Sequence, residues 1–425
     1  MESNNGRNVQ VILKTQTSYQ IPAEPYMLPV AFRRYHLSQL INQVLSLPTP
    51  VPFDFIINGE ILSSTLGDWC VEKKLGEEEI IEIEYIPSVL PPQKISSLPH
   101  SDWVSSVSVA KKGYFLTGSY DTEVRVFNES HEVLHTVSGH TGPVSDVSWI
   151  PHQNPDAMLI ISSSYDTTAR ISSIEGGTAR GLASLHLHTA SVSSIRANGS
   201  GTHLLTASWD HLIGLWTSDI PEEDEVPVPV SSEEPTRKRR KLATSSARTD
   251  VHPPKRKAPS TVLKSHTGRV SKALFSLDDD GKAFSSGWDC TVGLCTGTAT
   301  SPERAMVDLA LSADSRSILG GLCDRNVLLY SASDFPSNLQ PIMFTNTSAP
   351  VAIQTHPTSP HHFLAACQDG MVRLWDIRSS KNAVASFEGF TDVSKRKITS
   401  VEWGREDVVA VGGEEGVCIS RAAIR

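Results

Sequence analysis

Around residues 204–216 apolar and polar positions alternate in a compact unit. Leu204-Leu205-Thr206-Ala207-Ser208 is followed by Trp209-Asp210-His211 and then by Leu212-Ile213-Gly214-Leu215-Trp216. This pattern predicts a strand, a tight turn carrying an aspartate, and a second strand ending on an aromatic. The unit recurs at 116–127, 161–171, 284–294, 323–330 and 367–376, and in degraded form at 411–419. Its turn acids are Asp121, Asp166, Asp210, Asp289, Asp324 and Asp369, with Glu415 in the last slot. Most are about 35 to 46 residues apart, the period of a propeller blade or a solenoid repeat. The gap from Asp210 to Asp289 is nearly double, so an insert is expected there.

Upstream of most turns stands a Gly-His-like pair: Pro99-His100, Gly139-His140, Leu187-His188 and Ser265-His266. In the third repeat His188, Ser208, Asp210 and Trp216 are the residues expected to form the hydrogen-bonded set of a WD blade. A buried turn aspartate needs donors, and His and Ser supply them. These residues imitate a Ser/His/Asp catalytic set only if the repeat is ignored. From residue 98 to 425 the chain resembles the WD40 family, which implies a seven-bladed propeller. The signal is weakest in repeats five and seven, where no Gly-His precedes Met306 and Gly389-Phe390 stands in its place. The last repeat lacks an outer strand, and residues 94–98, at the end of the 87–97 linker and the start of the propeller, are candidates to close the ring.

Residues 8–86 do not repeat. Val9, Val11 and Leu13 mark a strand, with an edge partner at 26–30 where Pro29 cannot donate to a ladder. Leu37, Leu40, Ile41, Val44 and Leu45 fall at helical spacing, and Pro48, Pro50 and Pro52 stop the helix. A strand over 53–57, the hairpin turn Asn58-Gly59, residues 60–62 and a last strand through Ile81, Ile83 and Tyr85 complete the pattern. This order is that of a small α+β ubiquitin-like β-grasp domain. The expected fold class is therefore mainly β, a propeller preceded by that domain.

Residues 219–260 change composition abruptly. Glu222-Glu223-Asp224-Glu225 opens the stretch, and Arg237-Lys238-Arg239-Arg240-Lys241 and Lys255-Arg256-Lys257 close it. Few apolar residues offset the entropy of ordering, so a disordered insert between blades three and four is expected. The two basic clusters read as a bipartite nuclear-localisation signal, with a solvated charge run or contact with RNA phosphates as alternatives. Over the whole chain 38 basic residues face 47 acidic ones, so no global field draws in nucleic acid or anionic lipid. The six cysteines form no CxxC pair, and no run of about 18 apolar residues occurs. The expectation is a soluble intracellular protein without zinc, disulfides or membrane contact. Aromatics at Tyr120, Tyr165, Trp209 and Trp288 precede turn acids and are candidate partner contacts, with a purely structural role as the alternative. Ser394-Lys395-Arg396-Lys397 is a second basic candidate, for contact with RNA or an acidic protein, with a solvated loop as the alternative.

The vocabulary of residues 51–62, Glu82-Ile83-Glu84-Tyr85, Leu90-Pro91-Pro92 and Asp102-Trp103-Val104-Ser105-Ser106, with the repeats and insert, resembles the YTM-type family of ribosome-biogenesis proteins, the WD-repeat-containing protein 12 family. The resemblance covers nearly the whole chain. It implies a non-enzymatic nucleolar factor for the large 60S subunit and its rRNA maturation, found in nucleus, nucleolus and nucleoplasm on 66S pre-ribosomal particles. It further implies a trimer with pescadillo and the block-of-proliferation WD protein, the latter held by the propeller. The ubiquitin-like domain would be gripped by the AAA ATPase midasin, whose adhesion-site Mg²⁺ has one open position for a carboxylate. The chain itself would carry no cofactor. Aligned on Glu82-Ile83-Glu84-Tyr85, the resemblance places that carboxylate at Glu78, with Glu77 and Glu79 as the one-residue alternatives; Mg²⁺ favours such oxygen donors. Without the resemblance, the three acids would read as a solvated turn. A reading from another class is a WD40 substrate adaptor in ubiquitin signalling, in which Glu77 to Glu79 would be dispensable. An enzyme finds no support in the sequence, which has no phosphate loop or nucleophile elbow.

Overall fold

The computed structural model describes residues 7–47, 49–75, 80–88, 92–152, 154, 157–175, 177–226, 253–279, 281–294, 297–300, 304–332, 341–390, 397–404 and 407–421. The first unit is a five-stranded sheet of β1 (Asn8–Lys14), β2 (Pro25–Pro29), β3 (Phe53–Ile57), β4 (Glu60–Ile61) and β5 (Ile81–Pro87), in the order β2-β1-β5-β3-β4. β1 and β5 run parallel, and the other pairs are antiparallel. Helix α1 (Arg34–Leu45) buries Leu37 and Ile41 against Val9, Val11, Leu13, Phe53, Phe55 and Tyr85. Asn58 and Gly59 both take positive φ, as a two-residue hairpin turn requires. Residues 66–73, left unassigned by periodicity, form a second helix, α2 (Leu66–Lys73). Thr65 caps it by accepting from the Asp68 N–H at 3.0 Å, and Lys74 ends it in the left-handed region. Two turns are too few for a hydrophobic period to show.

Seven further sheets follow, each with four antiparallel strands, the second carrying a fifth. Their first strands are Val104–Ser108, Val144–Trp149, Val192–Ala197, Val270–Phe275, Met306–Leu311, Pro350–Thr355 and Ile398–Trp403. Neighbouring first strands touch in sequence, and Ile398–Trp403 returns to touch Val104–Ser108, which makes a ring. Every one of the seven carries a register shift at the same place, one residue after its start. A bulge there adds local twist where the strands crowd toward the axis. Blades five and seven, faint in the sequence, share it.

The ring closes through strand β6 (Gln93–Pro99), which pairs antiparallel with Gly416–Arg421 from the other end of the chain. The apolar faces of adjacent blades pack in a series of clusters, for instance Ile195, Leu204 and Trp216 of blade three against Ile161, Ile171 and Leu185 of blade two.

The insert departs from expectation in two ways. Strand Thr261–Leu263 is the outer strand of blade three, paired with Ile213–Thr217, so the insert interrupts blade three instead of separating blades three and four. Residues 219–226 and 253–260, assigned by composition to a disordered segment, are ordered. Lys255–Lys257 adds a parallel fifth strand to blade two, beside Thr178–Leu185. The reason is local bonding: the Arg256 and Ala258 N–H groups donate to the carboxylates of Asp224 and Glu225, each at 2.8 Å. The acidic and basic ends of the insert thus close on each other.

Candidate partner-binding surface

The blade-three His and Asp are committed to a turn. His188 Nδ1 lies 3.0 Å from an Asp210 carboxylate oxygen, and the N–H groups of Thr189 and Leu212 donate to the same carboxylate at 3.0 Å. On its other side His188 Nε2 meets Thr206 Oγ1 at 2.8 Å, and Trp216 Nε1 donates to that oxygen at 2.9 Å. Burial opposes charge on Asp210, yet His188 and the backbone donors hold its carboxyl below the ordinary range. Burial lowers the His188 imidazole, so it is the neutral ring that bridges.

The hydroxyl of this set is therefore Thr206, not Ser208. Ser208 accepts from the Asp210 N–H and donates to the carbonyls of Ala190 and Ser191. Positions 206 and 208 share one strand face, but only 206 lies opposite Gly214, over which Trp216 reaches. A Cβ on Gly214 would stand 2.7 Å from Trp216 Nε1 and 2.8 Å from Thr206 Oγ1. The same slot, four residues before the turn acid, is used by Ser162 with His140 and Asp166, and by Ser285 with His266 and Asp289. His, hydroxyl and Asp in these blades are consumed in stapling each turn to the loop before it.

That staple carries the exposed aromatics. The residue preceding each turn acid donates its N–H to the residue just before the inner strand: Tyr120 to Trp103, Tyr165 to Pro143, Trp209 to Ser191 and Trp288 to Arg269. Cys323 to Ala305, Gln368 to Ala349 and Glu414 to Lys397 complete the seven. Equivalent bonds put all these side chains on one face of the ring. Over blades one to four they touch. Trp103 stacks on Tyr120 with centroids 6.3 Å apart, Tyr120 lies 6.1 Å from Tyr165, and Tyr165 lies 5.7 Å from Trp209. The Arg269 guanidinium then sits 4.7 Å from the Trp209 ring and 5.9 Å from the Trp288 ring, and Lys397 Nζ is 5.7 Å from Trp103. Trp209 is 36% exposed and Trp288 54%. The sequence pointed to Tyr120, Tyr165, Trp209 and Trp288, and the structure joins them into one arc. It missed Trp103 and Arg269, whose only signal is their constant place one residue before an inner strand, and it named Lys397 only within the basic run 394–397. Large amphipathic rings with cations stacked on them are the chemistry of a protein-binding hot spot.

Other candidate residues are placed differently. Glu77, Glu78 and Glu79 lie outside the described residues, between Leu75 and Ile80, and so do Arg237, Lys238, Arg239, Arg240 and Lys241. Lys255, Arg256 and Lys257 form the added strand of blade two. Lys257 is 4% exposed, and its ammonium donates to Thr217 Oγ1 at 2.8 Å and to the Asp219 carbonyl. Burial lowers its pKa, against Glu225 and Asp219. A buried lysine tied to the fold is not a free element of a signal, which corrects the bipartite reading at this end.

A family model for the NLE (NUC135) domain matches residues 9–70, and one for the WD domain, G-beta repeat, matches 92–128, 131–171, 180–217 and 341–376. The chain is 43% identical to the ribosome biogenesis protein YTM1 of Laccaria bicolor over 96% of its length and 93% of that protein's. It is 42% identical to YTM1 of Coprinopsis cinerea, covering 98% and 95%, and 30% identical to that of Eremothecium gossypii, covering 92% and 91%. The chain belongs to the YTM1 family of ribosome biogenesis proteins. In that family context the N-terminal sheet is the ubiquitin-like NLE domain, although the matched span stops before β5, the strand that joins β1 to β3.

Proposed function

We propose that this protein is a non-enzymatic assembly factor of the large ribosomal subunit, acting in the nucleolus and nucleoplasm through two surfaces. The aromatic arc of blades one to four holds a block-of-proliferation-type WD protein and, through it, pescadillo. The N-terminal domain offers the loop at Glu78, or its neighbours Glu77 or Glu79, as a carboxylate for the Mg²⁺ of midasin. That ATPase removes the factor from the precursor particle. The observation that carries the first half is the continuity of the arc, from Lys397 and Trp103 through Trp209 and Arg269 to Trp288. The second half is supported by family membership and by the carboxylate-rich sequence between α2 and β5.

Two binding experiments test the halves separately. Full-length protein carrying Trp209→Ala or Trp288→Ala is titrated with the partner WD protein. A loss of at least about thirty-fold is expected, the scale of a hot-spot residue. Wild-type affinity in both variants would remove the arc from the interface. Binding to midasin's adhesion domain is then measured with Mg²⁺, with chelator and with Glu78→Ala. Loss in both of the last two supports the handle, and indifference to both refutes it.

A further inference from the structure

The face of the N-terminal sheet opposite α1 does not meet solvent throughout. Ile56 and Ile86 are 4% and 2% exposed, and Arg378 and Lys381, which follow the third strand of blade six, reach Glu84 and Glu60 of the same sheet. Arg378 Nη1 bonds Glu84 at 3.0 Å while its Nη2 bonds the fully buried Asp376 at 2.6 Å. Lys381 and Lys73 both donate to Glu60, Lys73 at 2.8 Å. Lys381 holds the Glu60 carboxyl low, with Lys73 assisting. Beside these bridges a cleft of about 660 Å³ opens between Leu13, Glu82, Glu84 and Arg378, so the contact is a charged clamp and not a continuous apolar seam.

The covalent route from this domain leads elsewhere. β5 ends at Pro87, and the next element, β6, is the ring-closing strand, at the outer position of its sheet and paired there with Gly416–Arg421, with Ser96 Oγ also 3.0 Å from His131 Nε2. Gln93, where β6 begins, is paired with Arg421, where its partner ends. A pull on the N-terminal domain against the rest of the chain therefore loads that end pair first, and the remaining pairs break one after another. Within the domain the geometry is the reverse. β1 and β5 are parallel, so a pull entering at Asn8 and leaving at Pro87 strains all their paired residues together. Unzipping needs less force than such shearing.

We propose that the N-terminal domain is the ripcord of the propeller. The Arg378 and Lys381 clamp to Glu84 and Glu60 shares the load with β6, and when it opens, traction strips β6 from Gly416–Arg421 and opens the ring between blades seven and one. Residues 100–103 follow β6 directly, so traction reaches Trp103, the end of the aromatic arc that touches Lys397 of blade seven. Pulling on one surface would thereby dismantle the other. This role in the cell rests on the handle reading above, whereas the mechanics of the chain do not.

The test is single-molecule force spectroscopy on the full-length chain, tethered through tags at its two termini. The first transition should free the seven residues of β6, roughly 25 Å of contour at full extension, while Gly416–Arg421 stays paired with Val408–Gly413. Lys381→Glu, on a side chain 59% exposed, and Arg378→Glu should lower its force, with Glu84→Arg restoring the Arg378→Glu variant. Ser97 faces Cys418 across the pairing, so Ser97→Cys oxidised to the native Cys418 should abolish this transition, and reductant should bring it back. A first transition of roughly 270 Å, the N-terminal domain unfolding ahead of the ring, would overturn the proposal. So would a first transition indifferent to the disulfide or to both clamp variants. No ATPase is present, so failure of the Glu78 experiment would leave this outcome intact.

Discussion

Replacing Thr206 by valine tests the reassigned blade-three set. The change keeps shape and volume and removes one hydroxyl from a site with no solvent exposure. Because His188 Nδ1 faces the Asp210 carboxylate, its Nδ1–H donates there and Nε2 must accept; Thr206 therefore donates to Nε2 while accepting from Trp216. Valine leaves a buried indole N–H and a buried imidazole nitrogen without partners. Each orphaned group costs about 1–3 kcal/mol, so a loss of about 2–6 kcal/mol is expected in the unfolding of this part of the ring. Thr206→Ser retains the relay and gives up one methyl group, about 1 kcal/mol. The assay is urea unfolding of the full-length protein followed by tryptophan fluorescence, comparing midpoints at constant slope, with circular dichroism as a second probe for cooperativity. If Thr206→Val unfolds within about 0.5 kcal/mol of wild type, or Thr206→Ser is as destabilised as Thr206→Val, the relay is wrong.

Gly214→Ala should be comparably harmful, by about 1–3 kcal/mol, since its Cβ overlaps the Trp216–Thr206 bond; a wild-type midpoint would show that Trp216 can move aside. Acid should weaken the blades in two stages. His188 is held below its unfolded value near 6.5, so its contribution is full above that pH and is lost as pH falls below it. Asp289, held at about 2 although burial opposes its charge, contributes fully above about 3.8 and loses that contribution as pH falls toward about 2. Stability measured from pH 8 to 3 that is flat, or rises toward acid, would contradict both signs. Lys257→Ala should lower the unfolding midpoint and leave nuclear accumulation of a fluorescent fusion unchanged, whereas alanines at Arg237, Lys238, Arg239, Arg240 and Lys241 should abolish accumulation with no change in the midpoint. The opposite pattern would restore the second cluster to the signal.

Much of the architecture was written in local terms. A strand, a turn acid and a second strand are neighbours in sequence, so the repeat period could be read from alternation and from the aspartates, and the resemblance to the WD40 family made it a propeller. The N-terminal domain was legible for the same reason, through Leu37 and Ile41 at helical spacing and the Asn58-Gly59 turn. Even the exposed aromatics could be named, because each stands next to a turn acid. Tertiary structure decided whatever depended on which distant groups meet. Thr206 and Ser208 are equivalent by sequence, and only the path of Trp216 over Gly214 separates them. Lys255–Lys257 has the composition of a solvated loop, but Asp224, Glu225 and the edge of blade two, brought close by folding, give its backbone bonds that composition cannot count. The bridges from Glu60 and Glu84 to Lys381 and Arg378 join residues 321 and 294 positions apart. Local pattern states what a segment can form; the partners that make it form, or put it to another use, are supplied by the rest of the ring.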